Sequence, residues 1–117
     1  MVVNKPTIFI YCREADEDLL REVCAGIEEE GVLYQVQQHE GDLDTLAYEA
    51  ANESMLGAGI GMTGKRLAMQ MQRLPKGQNV FELNEPAFWQ CRNLGANSAR
   101  AIKKLPFKAV HGKKQQM

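Results

Sequence analysis

Apolar residues recur along the chain with two different periods, and these periods alternate. Residues 7–12, Thr-Ile-Phe-Ile-Tyr-Cys, form a β-branched and aromatic run after Lys5-Pro6, which is typical of a buried central strand. From Asp16 the period becomes helical and ends at Gly31, so the pattern predicts a helix that Asp16 caps and Gly31 terminates. The apolar positions of this helix are Leu19, Leu20, Val23, Cys24 and Ile27.

The alternation continues through the middle of the chain. Residues 32–39 alternate weakly between apolar and polar side chains, which predicts a second strand near a sheet edge. Residues 42–54 predict a second helix, because their apolar residues share one face and Asp42 and Asp44 lie near its positive end. Residues 55–62 form an apolar run interrupted by glycines, which suits a strand buried on both faces. The apolar face of the second helix consists of Leu43, Leu46, Ala47 and Ala50.

One segment fits two kinds of element. Residues 67–74 alternate as a strand does, yet Leu67, Met71 and Leu74 also follow a helical spacing, and both interpretations stay open. Residues 62–65, Met-Thr-Gly-Lys, permit a hairpin just before this segment.

The remaining elements are easier to place. Residues 75–78, Pro-Lys-Gly-Gln, predict a turn, and residues 80–83 predict a short strand. Residues 84–86, Asn-Glu-Pro, open a last helix that runs to about Lys104. We expect residues 109–117 to form a disordered tail.

The composition is that of one ordinary globular domain. The chain has 117 residues, of which 44% are hydrophobic and 25% charged, and we expect residues 1–108 to form a single α/β domain. The predicted elements add up to a three-layer α/β sandwich. Cys12, Cys24 and Cys91 are odd in number and contain no C-x-x-C pair, so we expect reduced structural thiols rather than a disulfide framework or a zinc site.

Charge is unevenly distributed, although the net charge is only -1. Residues 1–53 contain 13 acidic and 3 basic side chains, giving -10, whereas residues 54–117 contain 2 and 11, giving +9. The basic charges are scattered and few aromatic residues lie among them, which argues against nucleic-acid binding. No apolar run reaches the ~18 residues that cross a bilayer, and no secretory signal is recognisable, so we expect a cytoplasmic protein without membrane contact. Residence in a bacterial microcompartment stays open.

A glycine-rich motif occupies residues 57–65, Gly-Ala-Gly-Ile-Gly-Met-Thr-Gly-Lys. Gly59, Gly61 and Gly64 satisfy G-x-G-x-x-G, and Gly59 to Lys65 match the first positions of a phosphate-binding loop. Such a loop needs a hydroxyl after the lysine to hold magnesium, whereas an arginine follows here. We favour a tight turn between two strands. The alternative is a small nucleotide-binding enzyme that uses Gly59, Gly61, Gly64 and Lys65.

Three carboxylates, Glu28, Glu29 and Glu30, lie where the first predicted helix ends and where the helix dipole is already negative. A solvated surface tolerates this arrangement at a cost of about 0.3 kcal/mol per charge. Alternatively, a cation from elsewhere meets this corner, either a metal ion or a partner's lysine or arginine. One helix end cannot supply a complete metal cage, so a metal ion here would lie at an interface.

The last predicted helix has a polar face that is not simply charged. Asn93, Asn97 and Arg100 follow one another at spacings of four and three and therefore share this face. Asparagine is a poor helix former, and Gly95 costs about 1 kcal/mol relative to alanine in mid-helix. We interpret these residues, together with Arg92, as a partner interface where another backbone approaches Gly95. The alternative is a solvated helix.

Groups suited to catalysis are scarce. His39 and His111 are the only histidines, and no serine or cysteine lies in a nucleophile motif. Asp16, Glu17 and Asp18 are typical of a helix start rather than of an acid/base pair. The sequence therefore predicts a protein that is not an enzyme.

Two segments together carry a family likeness. Residues 26–31 read Gly-Ile-Glu-Glu-Glu-Gly, and residues 92–107 begin Arg-Asn-Leu-Gly-Ala-Asn-Ser-Ala-Arg and end Lys-Leu-Pro-Phe. With them, from about Thr7 to Phe107, the sequence resembles the small subunit of the reactivating factor for adenosylcobalamin-dependent diol and glycerol dehydratases. The resemblance implies a three-layer α/β/α sandwich around a mostly parallel five-stranded sheet with one antiparallel strand.

The resemblance implies a partner role. In that family a large subunit with an actin/Hsp70-like ATPase domain binds ATP or ADP, and the complex releases damaged cobalamin from inactivated dehydratase. The small subunit is similar in fold to the dehydratase's medium subunit and exchanges with it, without binding cobalamin directly. The implied partners are therefore the large ATPase-type subunit and the dehydratase subunits. The alternative within this resemblance is the medium subunit of the dehydratase itself.

The resemblance also implies a magnesium ion at the subunit interface. In that family a glutamate from the Glu-Glu-Glu helix end reaches a magnesium site on the large subunit. By matching position, this role falls to Glu29, and less well to Glu28 or Glu30.

Overall fold

The computed structural model describes residues 5–111, in which strands and helices alternate as the sequence predicts. The strands are β1 (Ile8–Ala15), β2 (Tyr34–Gln38), β3 (Ala58–Gly64), β4 (Arg66–Met71) and β5 (Phe81–Asn84). The helices are α1 (Glu17–Glu29), α2 (Leu43–Glu53) and α3 (Phe88–Lys103). Residues 67–74, which fit either element by pattern, lie mainly in strand β4.

Aspartate side chains begin the first two helices. Asp16 Oδ1 accepts the Leu19 N–H at 3.0 Å, and Asp42 Oδ1 accepts the Thr45 N–H at 2.8 Å. These oxygens satisfy N–H groups that the first turn of a helix leaves unpaired. The hydrogen bonds from Thr45 also lower the pKa of the Asp42 carboxyl. The predicted starts of α1 and α2 are confirmed. The last helix begins at Phe88 and not at the predicted residues 84–86, because Asn84 still pairs with Arg66 in the sheet.

The five strands form one mixed sheet in the order β2-β1-β3-β4-β5. β1 pairs in parallel with β2 and β3, whereas β4 is antiparallel to both β3 and β5. Two of the four strand pairs are therefore antiparallel, and the expectation of a mostly parallel sheet is correct only in part. One reversed strand, β4, accounts for both of these pairs, because the turn at Gly64 and Lys65 returns the chain as a hairpin.

Helices cover both faces of the sheet. α1 and α3 pack against one face, and α2 packs over β3, β4 and β1 on the other. Two glycines of β3 bring α2 close to the sheet. A Cβ on Gly59 would lie 2.3 Å from Ala51 N, and one on Gly61 would lie 2.6 Å from Ala47 N. A side chain at either position would push α2 away from the sheet.

α1 and α3 touch backbone to backbone, because each helix presents a glycine to the other. A Cβ on Gly26 would lie 2.0 Å from Arg92 O, and one on Gly95 would lie 2.1 Å from Val23 O. These distances are shorter than any Cβ contact that a folded protein sustains. The two glycines therefore fix how closely the helices approach.

Each helix has a buried face and a polar face, and their lengths suit a small sheet. α3 is the longest, with 16 residues, and buries residues such as Cys91 and Leu94 against the sheet. Within residues 5–111, the helices lack the combination of length and apolar character that a bilayer crossing requires.

The segment after α3 lies along that helix instead of leaving the fold. The Val110 side chain is 1% exposed, and Phe107 packs edge-on against Phe81 with ring centroids 5.3 Å apart. The tail predicted for residues 109–117 therefore does not begin at Ala109, because burial and aromatic packing hold the chain as far as Val110. The rest of the predicted tail, residues 112–117, lies outside the described residues.

Substituting Gly95→Ala is expected to destabilise the fold by about 1–3 kcal/mol, because the new methyl group meets the Val23 carbonyl of α1. Helix propensity alone predicts the opposite sign, a gain of about 1 kcal/mol. Urea unfolding followed by circular dichroism measures the difference. Arg21→Ala, on the exposed side of α1, is the control and should change stability by less than about 0.5 kcal/mol. A Gly95→Ala variant more stable than the parent would contradict the contact.

Candidate functional site

The end of α1 and the facing side of α3 carry interlocking charges. Glu22, Glu29 and Glu30 form ion pairs with arginines of α3. The last turn of α1 contains no basic residue of its own. The α3 arginines therefore offset both the carboxylates and the negative end of the α1 dipole.

Arg92 binds two of these carboxylates at once. Its Nε and Nη2 lie 3.0 and 2.8 Å from Glu22 Oε1, and its Nη1 lies 3.2 Å from Glu29 Oε2. The hydrogen bonds to Glu22 raise the pKa of the Arg92 guanidinium. The Glu22 side chain is 21% exposed and that of Glu29 is 50% exposed. Glu22 therefore supplies the shorter contacts to Arg92, and Glu29 presents the more accessible carboxylate.

Arg100 binds the third carboxylate more deeply. Its Nε lies 3.1 Å from Glu30 Oε2, and its Nη1 donates to Pro106 O at 3.0 Å. Lys103 Nζ donates to the backbone oxygen of Glu30. The Glu30 side chain is only 12% exposed, so its carboxylate lies mostly buried between α1 and α3.

Glu28 has a partner on the sheet. Its Oε1 accepts the Tyr34 hydroxyl at 2.8 Å, which ties the end of α1 to the start of β2. This hydrogen bond, with a contribution from burial, raises the pKa of the Tyr34 hydroxyl above its usual value.

The same chain supplies positive charge to the carboxylates at the end of α1. The sequence suggests a metal ion or a partner's cation, whereas Arg92 and Arg100 of the same chain meet two of the three carboxylates. In the described part of the chain, no three His, Cys, Asp or Glu side chains lie together as a metal-binding group. A magnesium ion at this corner would therefore take most of its ligands from another molecule.

The polar face of α3 binds the chain's own C-terminal segment. Asn97 makes two of these bonds, donating from Nδ2 to Lys108 O at 2.8 Å and accepting the Lys108 N–H on Oδ1 at 2.7 Å. Asn97 is fully buried, so both halves of its amide group are satisfied inside the fold. The four bonded pairs along this face are Gln90 with Val110, Asn93 with Ala109, Asn97 with Lys108 and Arg100 with Pro106.

The structure therefore gives intramolecular partners to Arg92, Asn93, Gly95, Asn97 and Arg100, which the sequence suggested as a partner interface. A second backbone does approach Gly95, but it is that of α1. Gly95 and Asn97 are buried within the chain itself. Helical spacing correctly places Asn93, Asn97 and Arg100 on one backbone-binding face, and the backbone they bind belongs to the same chain.

The glycine-rich segment does not have the geometry of a phosphate-binding loop. Gly59 and Gly61 lie inside β3 against α2, while Gly64 and Lys65 form the turn into β4. A phosphate-binding loop needs a helix after it, whose N-terminal N–H groups point at the phosphate. A strand follows here, so the hairpin interpretation is confirmed and the nucleotide-binding alternative loses its structural basis.

Sequence reasoning missed an aromatic and carboxylate cluster on the α2 side of the sheet. The Tyr11 hydroxyl donates to Glu53, and the Tyr11 ring stacks on His39 with centroids 3.7 Å apart. Burial, reinforced by Glu53, raises the pKa of the Tyr11 hydroxyl. Tyr11 and Glu53 are 42 residues apart in the chain. Only the alternation of β1, which turns Tyr11 away from the α1 face, could have indicated part of this cluster.

The cysteines are free and buried, as the sequence predicts. Burial raises the pKa of the Cys12 thiol to about 11 and that of Cys91 to about 12, and it raises the pKa of Cys24 as well. Thiols with raised pKa values are poor nucleophiles at neutral pH. Their contribution is to the core between the sheet and the α1 and α3 layer.

The chain is similar in sequence to curated proteins of one kind. The diol dehydratase-reactivating factor small subunit of Klebsiella michiganensis is 34% identical over 110 residues, covering 92% of this chain and 88% of that protein. The propanediol dehydratase-reactivating factor small subunit of Salmonella typhimurium is 36% identical over 110 residues, covering 92% and 95%.

Solved structures give the same result for the fold. A chain of the diol dehydratase-reactivating factor complexed with ADP and Mg2+ matches with a TM-score of 0.85 and 34% identity, covering 91% of this chain and 100% of the other. A chain of a glycerol dehydratase reactivase matches with a TM-score of 0.86 and 27% identity, covering 92% and 100%. The resemblance carried by residues 26–31 and 92–107 is thereby confirmed. Since the family model described as dehydratase medium subunit also matches residues 5–108, the chain belongs to the dehydratase medium subunit family, where it resembles the small subunits of dehydratase-reactivating factors.

Proposed function

We propose that this chain is the small subunit of a reactivating factor that acts on inactivated adenosylcobalamin-dependent diol or glycerol dehydratase. It helps to release the damaged cobalamin by changing places with the medium subunit of the dehydratase. ATP is hydrolysed on a large ATPase-type partner subunit. This chain supplies no catalytic group and binds neither the nucleotide nor the cobalamin.

The observation that carries this proposal is the agreement with the reactivating-factor chains in both sequence and fold. Each solved chain is covered over its full length with a TM-score of at least 0.85. The curated small subunits are covered over 88–96% of their lengths. A relationship of this extent involves the whole domain rather than a shared motif.

Subunit exchange is supported because this family includes both a subunit of the dehydratase and a subunit of its reactivating factor. The family is described as dehydratase medium subunit, whereas the curated relatives are small subunits of reactivating factors. A chain with the fold of one subunit of its target can occupy the surface that this subunit leaves. The internal ion pairs of Arg92 and Arg100 suit such a role, because a subunit that moves between complexes must keep its charges satisfied while it is free.

A non-catalytic role is supported by the chemistry of the described side chains. The buried cysteines have raised pKa values, and His39 stacks on Tyr11 instead of facing a nucleophile. Lys65 is followed by strand β4 and not by the helix whose N–H groups bind phosphate in a phosphate-binding loop.

For magnesium, we propose that Glu29 contributes one ligand to an ion held mainly by the large subunit. The related reactivating factor was solved with ADP and Mg2+, and carboxylate oxygens suit this ion. The Glu29 side chain is 50% exposed and its partner Arg92 has shorter contacts to Glu22, so Glu29 can turn outward while Arg92 keeps an ion pair. Glu30 is less suited because it is 12% exposed, and Glu28 because its carboxylate holds the Tyr34 hydroxyl.

The alternative within the family is the medium subunit of a dehydratase, and the family description favours it. The two roles differ in what they do to an inactivated enzyme. A reactivating subunit restores activity together with a large ATPase-type subunit, whereas a medium subunit completes a dehydratase that lacks one.

Glycerol-inactivated dehydratase should recover activity when this chain, a reactivating factor large subunit, ATP, magnesium and fresh adenosylcobalamin are all present, because exchange opens the cobalamin site. Recovery should be lost when this chain is left out. Dehydratase turnover and the absorbance of released cobalamin measure the two steps.

Lys65→Ala is the matched control for this assay, because Lys65 lies at the exposed hairpin turn. It should reactivate as well as the parent chain. Restoration of a dehydratase stripped of its medium subunit, without ATP or a large subunit, would support the alternative instead. ATP hydrolysis by this chain alone would contradict the proposal.

Assembly of the parent chain with the large subunit should strengthen as magnesium is added, because the Glu29 carboxylate completes the ion's coordination. Glu29→Gln should weaken assembly by about tenfold at saturating magnesium, the order expected when one charged partner is removed from an interface. Isothermal titration calorimetry across magnesium concentrations measures both effects.

Glu17→Gln is the control for this measurement, since Glu17 lies on α1 at the opposite end from Glu29 and is exposed. It should leave the magnesium dependence unchanged. If Glu29→Gln assembles with the parent's magnesium dependence, Glu29 is not a ligand, and reactivation by the variant can still stand.

A further inference from the structure

β2 forms an open edge of the sheet. It is the terminal strand in the order β2-β1-β3-β4-β5 and, within residues 5–111, pairs with β1 alone. A terminal strand presents a row of backbone N–H and C=O groups that can bond to another extended chain.

The hydrogen bonds to β1 establish which groups face outward. Leu33 O accepts the Ile8 N–H at 2.9 Å, and the His39 N–H donates to Cys12 O at 2.9 Å. Backbone groups of alternate residues point to the same side of a strand. The residues at positions 33, 35, 37 and 39 therefore face β1. The backbone groups directed away from the sheet are those of Tyr34, Val36 and Gln38.

This edge carries none of the usual obstacles to strand addition. The sequence Tyr-Gln-Val-Gln-Gln contains no proline, lysine or other charged residue, and its register with β1 is continuous, without a bulge. Proteins commonly protect an open edge by these devices. Their absence over all five residues leaves β2 able to accept a further strand.

A depression of about 570 Å³, lined by both polar and apolar side chains, adjoins the start of β2. Leu33 and Met55, which are 51% and 72% exposed, lie in its wall together with Phe9. A strand bonded to β2 projects alternate side chains toward one face of the sheet. The depression can therefore take an apolar side chain of the added strand.

The charges around the edge favour a basic partner. Glu28 bonds to the side chain of Tyr34, Glu53 lines this depression, and Glu14 and Glu40 line a second depression beside Gln38. Two cations offset these four carboxylates, Lys5 in the first depression and Arg13 in the second. Pairing two copies through β2 would bring two edges with this local surplus of carboxylates together, which charge repulsion opposes.

We infer that the β2 edge, from Tyr34 to Gln38 with the depression at Leu33 and Met55, is a strand-addition site for an extended segment of another protein that alternates basic and apolar residues. Backbone bonds to β2 provide the register, and the surrounding carboxylates select the basic side chains. The inference does not depend on the proposed function.

The probe is the peptide Lys-Val-Lys-Val-Lys-Val-Lys, compared with its counterpart in which glutamate replaces every lysine. In nitrogen-15 NMR spectra of the whole chain, the lysine peptide should shift the amides of Tyr34, Val36 and Gln38 and slow their hydrogen exchange. The amides of residues 35, 37 and 39 should already be protected by β1 before the peptide is added. The glutamate peptide should bind at least about tenfold more weakly, because like charges meet at the interface.

Two substitutions at one exposed position separate the backbone contribution from that of the side chain. Gln38→Pro removes an outward N–H without removing a bond to β1, and should weaken the lysine peptide about three- to tenfold, the worth of one hydrogen bond. Gln38→Ala keeps the N–H and should bind as the parent does. Should the proline variant fail to fold, Gln38→Lys tests the charge requirement and should also weaken binding.

Three results would overturn the inference. One is equal binding of the two peptides. Another is a set of shifts that maps away from residues 33–40. The third is protection of the Tyr34, Val36 and Gln38 amides in the isolated chain together with a dimer in sedimentation, since a second copy would then occupy the edge.

Discussion

The close contact between α1 and α3 determines how the rest of the molecule is arranged. Gly26 and Gly95 remove the side chains that would keep the two helix backbones apart. At that separation Arg92 reaches Glu22 and Glu29, which lie 70 and 63 residues away in the chain. The acidic and basic parts of the sequence thus neutralise one another inside a single layer of the fold, and the helix pair covers one face of the sheet as a unit.

This internal neutralisation changes where interaction surfaces can lie. Most of the polar face of α3 is occupied by the C-terminal segment and by carboxylates of α1. Two of the groups that stay accessible are the outer carboxylate of Glu29 and the backbone edge of β2. They lie at opposite ends of the same loop, since the chain runs from Glu29 through Gly31 to the start of β2. A subunit that moves between complexes needs surfaces that remain available when its core contacts are complete.

Local patterns predicted the elements well and their contacts poorly. Helical periodicity identified α1 and α2, and the aspartate caps gave their starts, because both signals act within a few residues. The same periodicity placed Asn93 and Asn97 on one face and indicated that they bind a backbone. It could not indicate whose backbone, because that depends on where the chain turns after Lys104. The pair of Tyr11 and Glu53 left no local signal either, since folding alone brings them together.

The C-terminal segment and α3 have different rises per residue, yet they bond to each other along the same distance. From Gln90 to Arg100 an α-helix rises about 15 Å, at ~1.5 Å per residue. The segment from Pro106 to Val110 bonds along this distance, and four steps of extended chain cover about 13 Å. Because these two lengths are nearly equal, successive side chains of α3 reach successive backbone groups of the segment, which runs in the opposite direction. The length of this segment is therefore constrained as a strand register is, so the loss or gain of one residue between Pro106 and Val110 would misalign every contact beyond that point.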